Sequence, residues 1–186
     1  MVGDLHILEA RRHLGRASVG DAVALAMDFL QSGQERESVL ILAAESVDAE
    51  WLDVLPVWRR VLSDFSVPSF SSGPHALCFL LVPEAKGIAE AYRAGTLTWF
   101  DAALQLERLS EEWGRPPLLD SFSGIVATWY YRREEMGVAE GEMADLQKET
   151  SERIERIAGL PSWDDDSRPS ADPAFVTLFT PRYPLS

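Results

Sequence analysis

The chain has 186 residues, 46% hydrophobic and 25% charged, a composition typical of a folded protein and not of a disordered one. Its formal net charge of −13 argues against binding to the phosphate backbone of a nucleic acid. The longest apolar run, residues 76–82, is too short to span a bilayer, and the first residues lack the basic start and apolar core of a signal peptide. We therefore expect a cytoplasmic protein with neither a nucleic-acid nor a membrane partner.

Apolar residues recur at helical spacing in successive segments of the chain. Stripes of this kind run over residues 22–30, 51–65 and 99–113, and a fourth passes from Ile125 towards Arg132 and Arg133. The pattern predicts an all-α fold, a single-domain helical bundle or irregular helical array of about seven or eight helices over residues 1–161. Trp58 lies at the centre of the second stripe, so we expect it to be among the more buried tryptophans.

Helix ends are marked by capping residues. Ser18 and Thr98 are each followed three residues later by Asp, an arrangement that satisfies an orphan amide and suits the helix dipole. Glycines that can close a helix in the left-handed conformation follow six helix-forming stretches, at Gly15, Gly33, Gly95, Gly114, Gly137 and Gly159.

Prolines complicate two of these helices. We expect Pro56 to mark a first turn or a kink, and Pro83 to kink or split the apolar segment that begins near Pro74. β-favouring residues are confined to 175–179, between Pro173 and Pro181, which allows one short extended segment at most. Residues 162–186 are predicted to form a Pro- and Asp-rich tail that docks on the domain through Phe175, Phe179 and Tyr183.

Candidate ligand sets for a metal have unsuitable spacing. His6, Glu9 and His13 share a helix face, but two turns of helix separate the imidazoles by about 10 Å, too far for one metal ion. We interpret this face as polar and solvated. Asp164–Asp166 opens no calcium loop, because Pro169 replaces the turn glycine and Phe175 the bidentate glutamate. We expect no metal and no cofactor.

Nucleophile and phosphate motifs are equally weak. Ser123 lacks the glycine two places before it that a nucleophile elbow needs. The serines at 69, 71 and 72 precede no P-loop lysine, and we expect a helix cap near Ser72 instead. Cys78 is the only cysteine, so no internal disulfide can form, and its apolar neighbours favour a buried, inert thiol.

Aromatic and acidic residues form the most distinctive run of the sequence. Three large rings are consecutive here, at Trp129, Tyr130 and Tyr131, so on a helix at least one of them must lie at the boundary between core and solvent. Such a ring either covers the core while its hydroxyl stays hydrated, or contacts a partner. Between positions 134 and 156 there are eight acidic and three basic side chains, which fits a solvated helix face or a surface that attracts a basic partner. The candidate partner-binding residues are Trp129, Tyr130, Tyr131, Glu142, Glu149 and Glu152.

One segment carries a family resemblance. After Gly33, the sequence Glu37-Ser38-Val39-Leu40-Ile41-Leu42-Ala43 resembles a motif of small, uncharacterised, all-helical bacterial proteins, in which a glycine-ended helix precedes a Ser-Leu-Arg-Ile-Leu-Ala-Gly type sequence. The similarity continues through Tyr92 and Gly95 to the helix that opens at Thr98, about two thirds of the chain. The resemblance implies a helical fold and carries no activity or site residues.

Two classes of function stay open. The first is a non-enzymatic interaction protein, for example an immunity or antitoxin-like factor, whose acidic helical face covers a basic partner. The second is a ligand-binding protein or enzyme with an interhelical pocket lined by Trp and Tyr and by a carboxylate such as Glu84 or Glu90.

Overall fold

Helices make up most of the backbone described in the structure, a computed structural model that describes residues 2–70, 72–160, 177–178 and 182. Eight α-helices and no strand occur among these residues, which confirms the all-α prediction. Thr177 and Leu178 are helical, and the rest of the segment predicted to be extended lies outside the described residues, as do Phe175, Phe179, Tyr183 and Asp164–Asp166. None of the described helices has both the length and the hydrophobicity that a membrane crossing requires.

The chain divides into two compact units, Met1–Ala76 and Leu77–Ser186. The first unit contains helices α1 (Val2–His13), α2 (Val19–Gln31), α3 (Glu37–Ala43) and α4 (Trp51–Asp64). Helix α5 (Gly73–Arg93) begins in the first unit and continues into the second, which also contains α6 (Trp99–Glu112), α7 (Pro117–Tyr130) and α8 (Ala144–Ala158). The single helical domain expected over residues 1–161 stays a prediction.

The predicted helix N-termini at Ser18 and Thr98 are confirmed. Ser18 forms a capping box with Asp21, in which the Ser18 Oγ accepts the Asp21 N–H at 3.1 Å and the Asp21 carboxylate accepts the Ser18 N–H at 2.7 Å. Thr98 accepts the Asp101 N–H at 3.1 Å in the same way. Each bond satisfies an amide that the helix itself leaves unpaired.

Five of the six predicted glycine stops are left-handed, and Gly159 is not. Positive φ angles of 66° to 84° occur at Gly15, Gly33, Gly95, Gly114 and Gly137. Gly159 has φ −80° and donates its N–H to the Glu155 carbonyl at 3.0 Å, so it continues the right-handed turn of α8. The helix end predicted at Gly159 is confirmed, because α8 ends at Ala158, but this glycine closes the helix without a left-handed backbone.

Both prolines lie inside continuous helices. Pro56 is the sixth residue of α4, beyond the first turn, and Pro83 falls midway along α5, which is not split. A proline removes one backbone donor from the helix ladder. In α4 the burial of Val54 and Trp58 on either side of Pro56 supplies packing that holds the helix together across this gap.

The predicted stripes contribute a large part of the core of each unit. In the first unit Phe29 of α2 stacks on Phe65 with 4.8 Å between centroids, and the completely buried Trp58 of α4 packs in the same cluster. In the second unit the whole stripe of α6, from Trp99 to Trp113, is buried, together with Phe122 of α7 and Ile154 of α8. The expected burial of Trp58 is thereby confirmed.

Candidate interaction surface

An aromatic cluster lies at the C-terminal end of α7. The half-buried Trp129 ring stacks on Phe100 of α6, with 3.9 Å between centroids and 22° between planes. Tyr130 meets Trp129 edge-on at 5.1 Å. Stacked and edge-to-face arrangements are the favoured geometries for ring pairs. Helix α6 therefore holds Trp129 in a defined orientation.

Large apolar side chains beside this cluster are exposed. Tyr130 is 42% exposed, Tyr131 59% and Met136 61%. The expectation that Trp129, Tyr130 and Tyr131 do not all reach the core is confirmed, because successive helix positions point about 100° apart. Tyrosine and methionine are typical of the centres of protein interfaces.

The chain leaves α7 through a π-helical turn, Tyr131–Glu135. The Met136 N–H donates to the Tyr131 carbonyl at 3.3 Å, a bond that spans five residues instead of four. Turns of this type interrupt the α-helical ladder and are frequent at functional sites. Nothing in the residue types of this segment predicted the turn.

Arg132 connects this turn to the start of α8. Its Nη1 donates to both carboxylate oxygens of Asp145 at 2.8 Å, and its carbonyl accepts the Val138 N–H at 3.0 Å. This hydrogen-bonded guanidinium lowers the pKa of Asp145. Glu142, in the intervening 3-10 turn, accepts the Ala139 N–H at 3.3 Å. Glu142 is thus held in a short segment that is anchored to the end of the aromatic cluster.

Arginine side chains neutralise part of the acidic run. Besides Asp145 with Arg132, Glu149 pairs with Arg153, and Glu155 pairs with Arg93 of α5, whose hydrogen bonds lower the pKa of Glu155. At least three of the eight acidic side chains between positions 134 and 155 are therefore in ion pairs. The sequence count overstates the local negative charge.

Glu149 and Glu152 are both exposed on α8, three residues apart. Glu149 lines a groove of about 370 Å³ between α7 and α8, together with Gly124, Thr128 and Arg153. Among the described residues, neither glutamate forms a hydrogen bond or ion pair with the aromatic cluster. The structure thus packs Trp129 against Tyr130, leaves Tyr131 exposed next to them, and places Glu142 in the short segment that follows and Glu149 and Glu152 on α8.

No protein-family model, curated protein or solved structure matches the chain. The resemblance to small helical bacterial proteins therefore stays a prediction.

Glu9 contradicts the predicted solvated face of α1, because it is completely buried. Its carboxylate accepts bonds from Arg12 at 2.6 and 2.9 Å, from Trp58 Nε1 at 2.7 Å and from the Ser69 hydroxyl. Burial alone raises the pKa of Glu9, but these hydrogen bonds and the Arg12 charge outweigh it and lower the pKa. Every donor comes from the first unit, so the network joins α1, α4 and the loop after α4.

Other candidate chemistries find no supporting arrangement in the described part of the chain. No group of three or more His, Cys, Asp or Glu side chains there is placed to hold a metal ion. Ser123 lies inside α7 and not at a strand-to-helix turn. Ser72 directly precedes α5, where a cap was predicted, and its Oγ lies 3.2 Å from His75 Nδ1, while Ser71 lies outside the described residues.

Neither of two grooves found among the described residues has the aromatic lining expected of an interhelical ligand pocket. The groove between α7 and α8 and a second one between α1 and α2 contain no Trp or Tyr. Glu84 and Glu90, proposed as pocket carboxylates, are exposed on α5 and line neither groove.

The Cys78 thiol is buried, and this burial raises its pKa to about 12 from an ordinary value near 9. At pH 8 the folded protein should therefore contain about 1,000-fold less thiolate than an unfolded chain. We expect a thiol reagent such as dithionitrobenzoate to titrate one cysteine in guanidinium and almost none in buffer. Cys78→Ala gives the zero-reaction baseline. Complete modification of the folded protein within seconds would contradict a buried, inert thiol.

Proposed function

We propose that the protein is a non-enzymatic interaction module of the cytoplasm that binds a protein with a basic surface, in the manner of an immunity or antitoxin-like factor. The binding surface is formed by the aromatic cluster and the glutamates beyond it, and we name it the aromatic–acidic surface. Its members are Trp129, Tyr130, Tyr131, Glu142, Glu149 and Glu152. The proposal involves no cofactor, nucleic acid or membrane.

One observation carries this proposal: Tyr130, Tyr131 and Met136 are exposed on a rigid support, which is the end of α7 and the π-helical turn after it. The stack of Trp129 on Phe100 and the Arg132–Asp145 pair hold this support on two sides. Exposed rings that are already ordered lose little conformational freedom on binding, and such residues dominate the affinity of many interfaces. A tyrosine here needs no rearrangement to act as an anchor.

Charge supports the choice of partner. The chain carries a net charge of −13, and Glu142 and Glu152 on this surface form no ion pair with another described residue. A surface of this sign raises the rate of encounter with a basic protein by about 10- to 1,000-fold at low salt. Because Arg132, Arg153 and Arg93 neutralise their neighbours, we expect the lower part of that range.

Photocrosslinking in the source cell tests the surface before the partner is known. Benzoylphenylalanine at position 131 should capture one protein with a basic surface, whereas the same group at Leu52, which is 79% exposed in the first unit, should not. Equal capture from both positions, or none at position 131, would reject the surface.

Binding kinetics separate the two contributions once that partner is purified. Glu142→Gln, Glu149→Gln and Glu152→Gln combined should slow association about 10-fold at low salt and flatten its salt dependence. Tyr130→Ala or Tyr131→Ala should speed dissociation about 10-fold with little change in association.

The triple variant has a matched control in the first unit. Glu35→Gln, Asp48→Asn and Glu50→Gln remove the same number of charges from exposed positions of the first unit. Association that is equally slow in this control would show that only net charge matters. Association that stays fast in both variants would show that the acidic side chains after position 134 form an ordinary solvated helix face.

A further inference from the structure

A second surface with binding character lies in the first unit, in a groove of about 270 Å³ between α1 and α2. Each helix contributes residues at positions i, i+3, i+4 and i+7, the spacing of a single helix face. The lining residues are Asp4, Ile7, Leu8 and Arg11 from α1, and Asp21, Ala24, Leu25 and Asp28 from α2.

The middle of this groove is apolar and open to solvent. Ile7 is 39% exposed, Leu25 is half-buried and Ala24 is exposed, while Leu8 below them belongs to the core of the unit. Burying such a surface under an apolar side chain removes it from water, which is favourable at about 25 cal/mol per Å². The apolar middle of the groove, which we call its floor, therefore favours an occupant with at least one apolar side chain.

The two ends of the groove differ in charge. Helix α1 ends at His13 and α2 begins at Val19, so the chain turns back and Arg11 lies near Asp21. Hydrogen bonds from Ser18 are the main cause of the lowered pKa of Asp21, and the charge of Arg11 lowers this pKa further. The opposite end contains Asp4 and Asp28. The Asp28 carboxylate makes no hydrogen bond or ion pair with another described residue. One end thus carries charges of both signs, and the other carries the negative charge of the Asp28 carboxylate, which no described cation offsets.

We propose that this groove binds a cationic amphipathic segment of a partner protein, with an apolar side chain on Ile7 and Leu25 and a lysine or arginine at the end that contains Asp28. Charge complementarity selects this occupant, because a second copy of this acidic chain would add negative charge at that end. The volume, just below the range of small-molecule pockets, suits one or two side chains of a larger partner. This inference concerns a different surface and does not depend on the aromatic–acidic surface.

A designed probe tests the groove directly. The probe is a helical peptide of about ten residues, with leucines on one face and lysines on the other, and it is titrated into the isotope-labelled full chain. We expect NMR chemical-shift changes centred on residues 4–11 and 21–28, and weaker binding as salt rises. A peptide with glutamate in place of lysine should leave these signals unchanged.

Substitutions in the floor and at the charged end of the groove should each weaken the binding of the lysine peptide, with different salt dependences. Ile7→Gln should reduce the affinity about 10-fold at all salt concentrations, and Asp28→Asn should reduce it about 5-fold at low salt only. Met27→Gln on another face of α2 and Asp48→Asn in the loop before α4 are the matched controls. Both controls should bind the probe like the unmodified chain.

Four results would contradict the proposal that this groove binds a cationic segment. The first is equal binding of the glutamate peptide, and the second is an equal loss of affinity in Asp48→Asn. The third is self-association in sedimentation that Ile7→Gln abolishes, which would make a second copy the occupant. The fourth is a set of shift changes that is confined to residues 129–152 and lost in Tyr131→Ala. This result would reject the groove and would still be compatible with the aromatic–acidic surface. The failure of one proposal is therefore distinguishable from that of the other.

Discussion

Replacement of Trp58 by alanine is expected to lower the free energy of unfolding of the first unit by about 3–5 kcal/mol, from lost burial and from the cavity left behind. The Trp58 side chain is completely inaccessible to solvent and meets Trp51 edge-on with 5.8 Å between centroids. Its Nε1 also donates to Glu9, so the substitution removes a donor from a buried carboxylate. Urea denaturation followed by circular dichroism would measure the loss.

Two companion variants separate these contributions. Trp58→Phe keeps most of the ring but deletes the Nε1 donor, and we expect a loss of about 1–3 kcal/mol. Leu52→Ala, on the exposed side of the same helix, should change stability by less than about 0.5 kcal/mol. A denaturation midpoint for Trp58→Ala within error of the parent chain would mean that this face of α4 is not packed in solution.

Periodicity explains why much of the helical framework was predictable. A helix places residues three and four apart on one face, so Trp58 and Leu62 in α4 and Leu106 in α6 had to share a buried side with their stripe neighbours. Caps such as Ser18 with Asp21 are equally local, since both partners lie within four residues. Pro83 does not split α5, because the packing of this helix outweighs one missing backbone bond, and packing is not a local property.

Glu9 was misread for the opposite reason, since its partners are distant in sequence. Trp58 is 49 residues away and Ser69 is 60 residues away, and only Arg12, three residues on, gives a local signal. A glutamate between apolar residues with arginine at i+3 is compatible with an exposed helical ion pair as well as a buried one. Only the tertiary structure distinguishes the two.

The candidate interaction surface was predictable in its aromatic part only. Consecutive large rings on a helix must leave one exposed, and Tyr131 follows that rule. The partial neutralisation of the acidic side chains could not be predicted from the sequence, because Arg132 reaches Asp145 across 13 residues and Arg93 reaches Glu155 across 62. A charge count along the sequence therefore describes net charge well and local field poorly.

Replacement of Glu9 by glutamine is expected to destabilise the first unit by about 3–5 kcal/mol at pH 7, the cost of leaving a buried partner charge unpaired. Arg12, whose side chain is only 18% exposed, would lose its counter-ion. The amide nitrogen of glutamine would also face a donor from Arg12 or Ser69. Denaturant unfolding of both proteins in the same buffer measures the difference.

A double replacement tests whether the unpaired charge is the cause. Glu9→Leu combined with Arg12→Leu removes both ions, and we expect it to be less destabilised than Glu9→Gln alone, because no charge is left without its partner. A double variant that is at least as unstable as the single one would show that the hydrogen bonds to Trp58 and Ser69 outweigh the ion pair.

The pH dependence of the Glu9→Gln effect has a definite sign. Because the folded pKa of Glu9 lies below its ordinary value of 4.5, the unfolded chain takes up a proton first as pH falls. The carboxylate therefore contributes its full stability above about pH 5.5, and this contribution declines below pH 4.5 and is lost as pH falls through the folded pKa. The exposed carboxylates of Asp145 and Glu155, whose pKa values are also lowered, are present in both proteins and cancel in the difference. The gap in unfolding free energy between the parent chain and Glu9→Gln should thus be constant from pH 7 to about pH 5.5 and narrow steadily towards pH 3. A gap of equal size at pH 7 and pH 3 would mean that the charge of Glu9 does not contribute to the stability of the first unit.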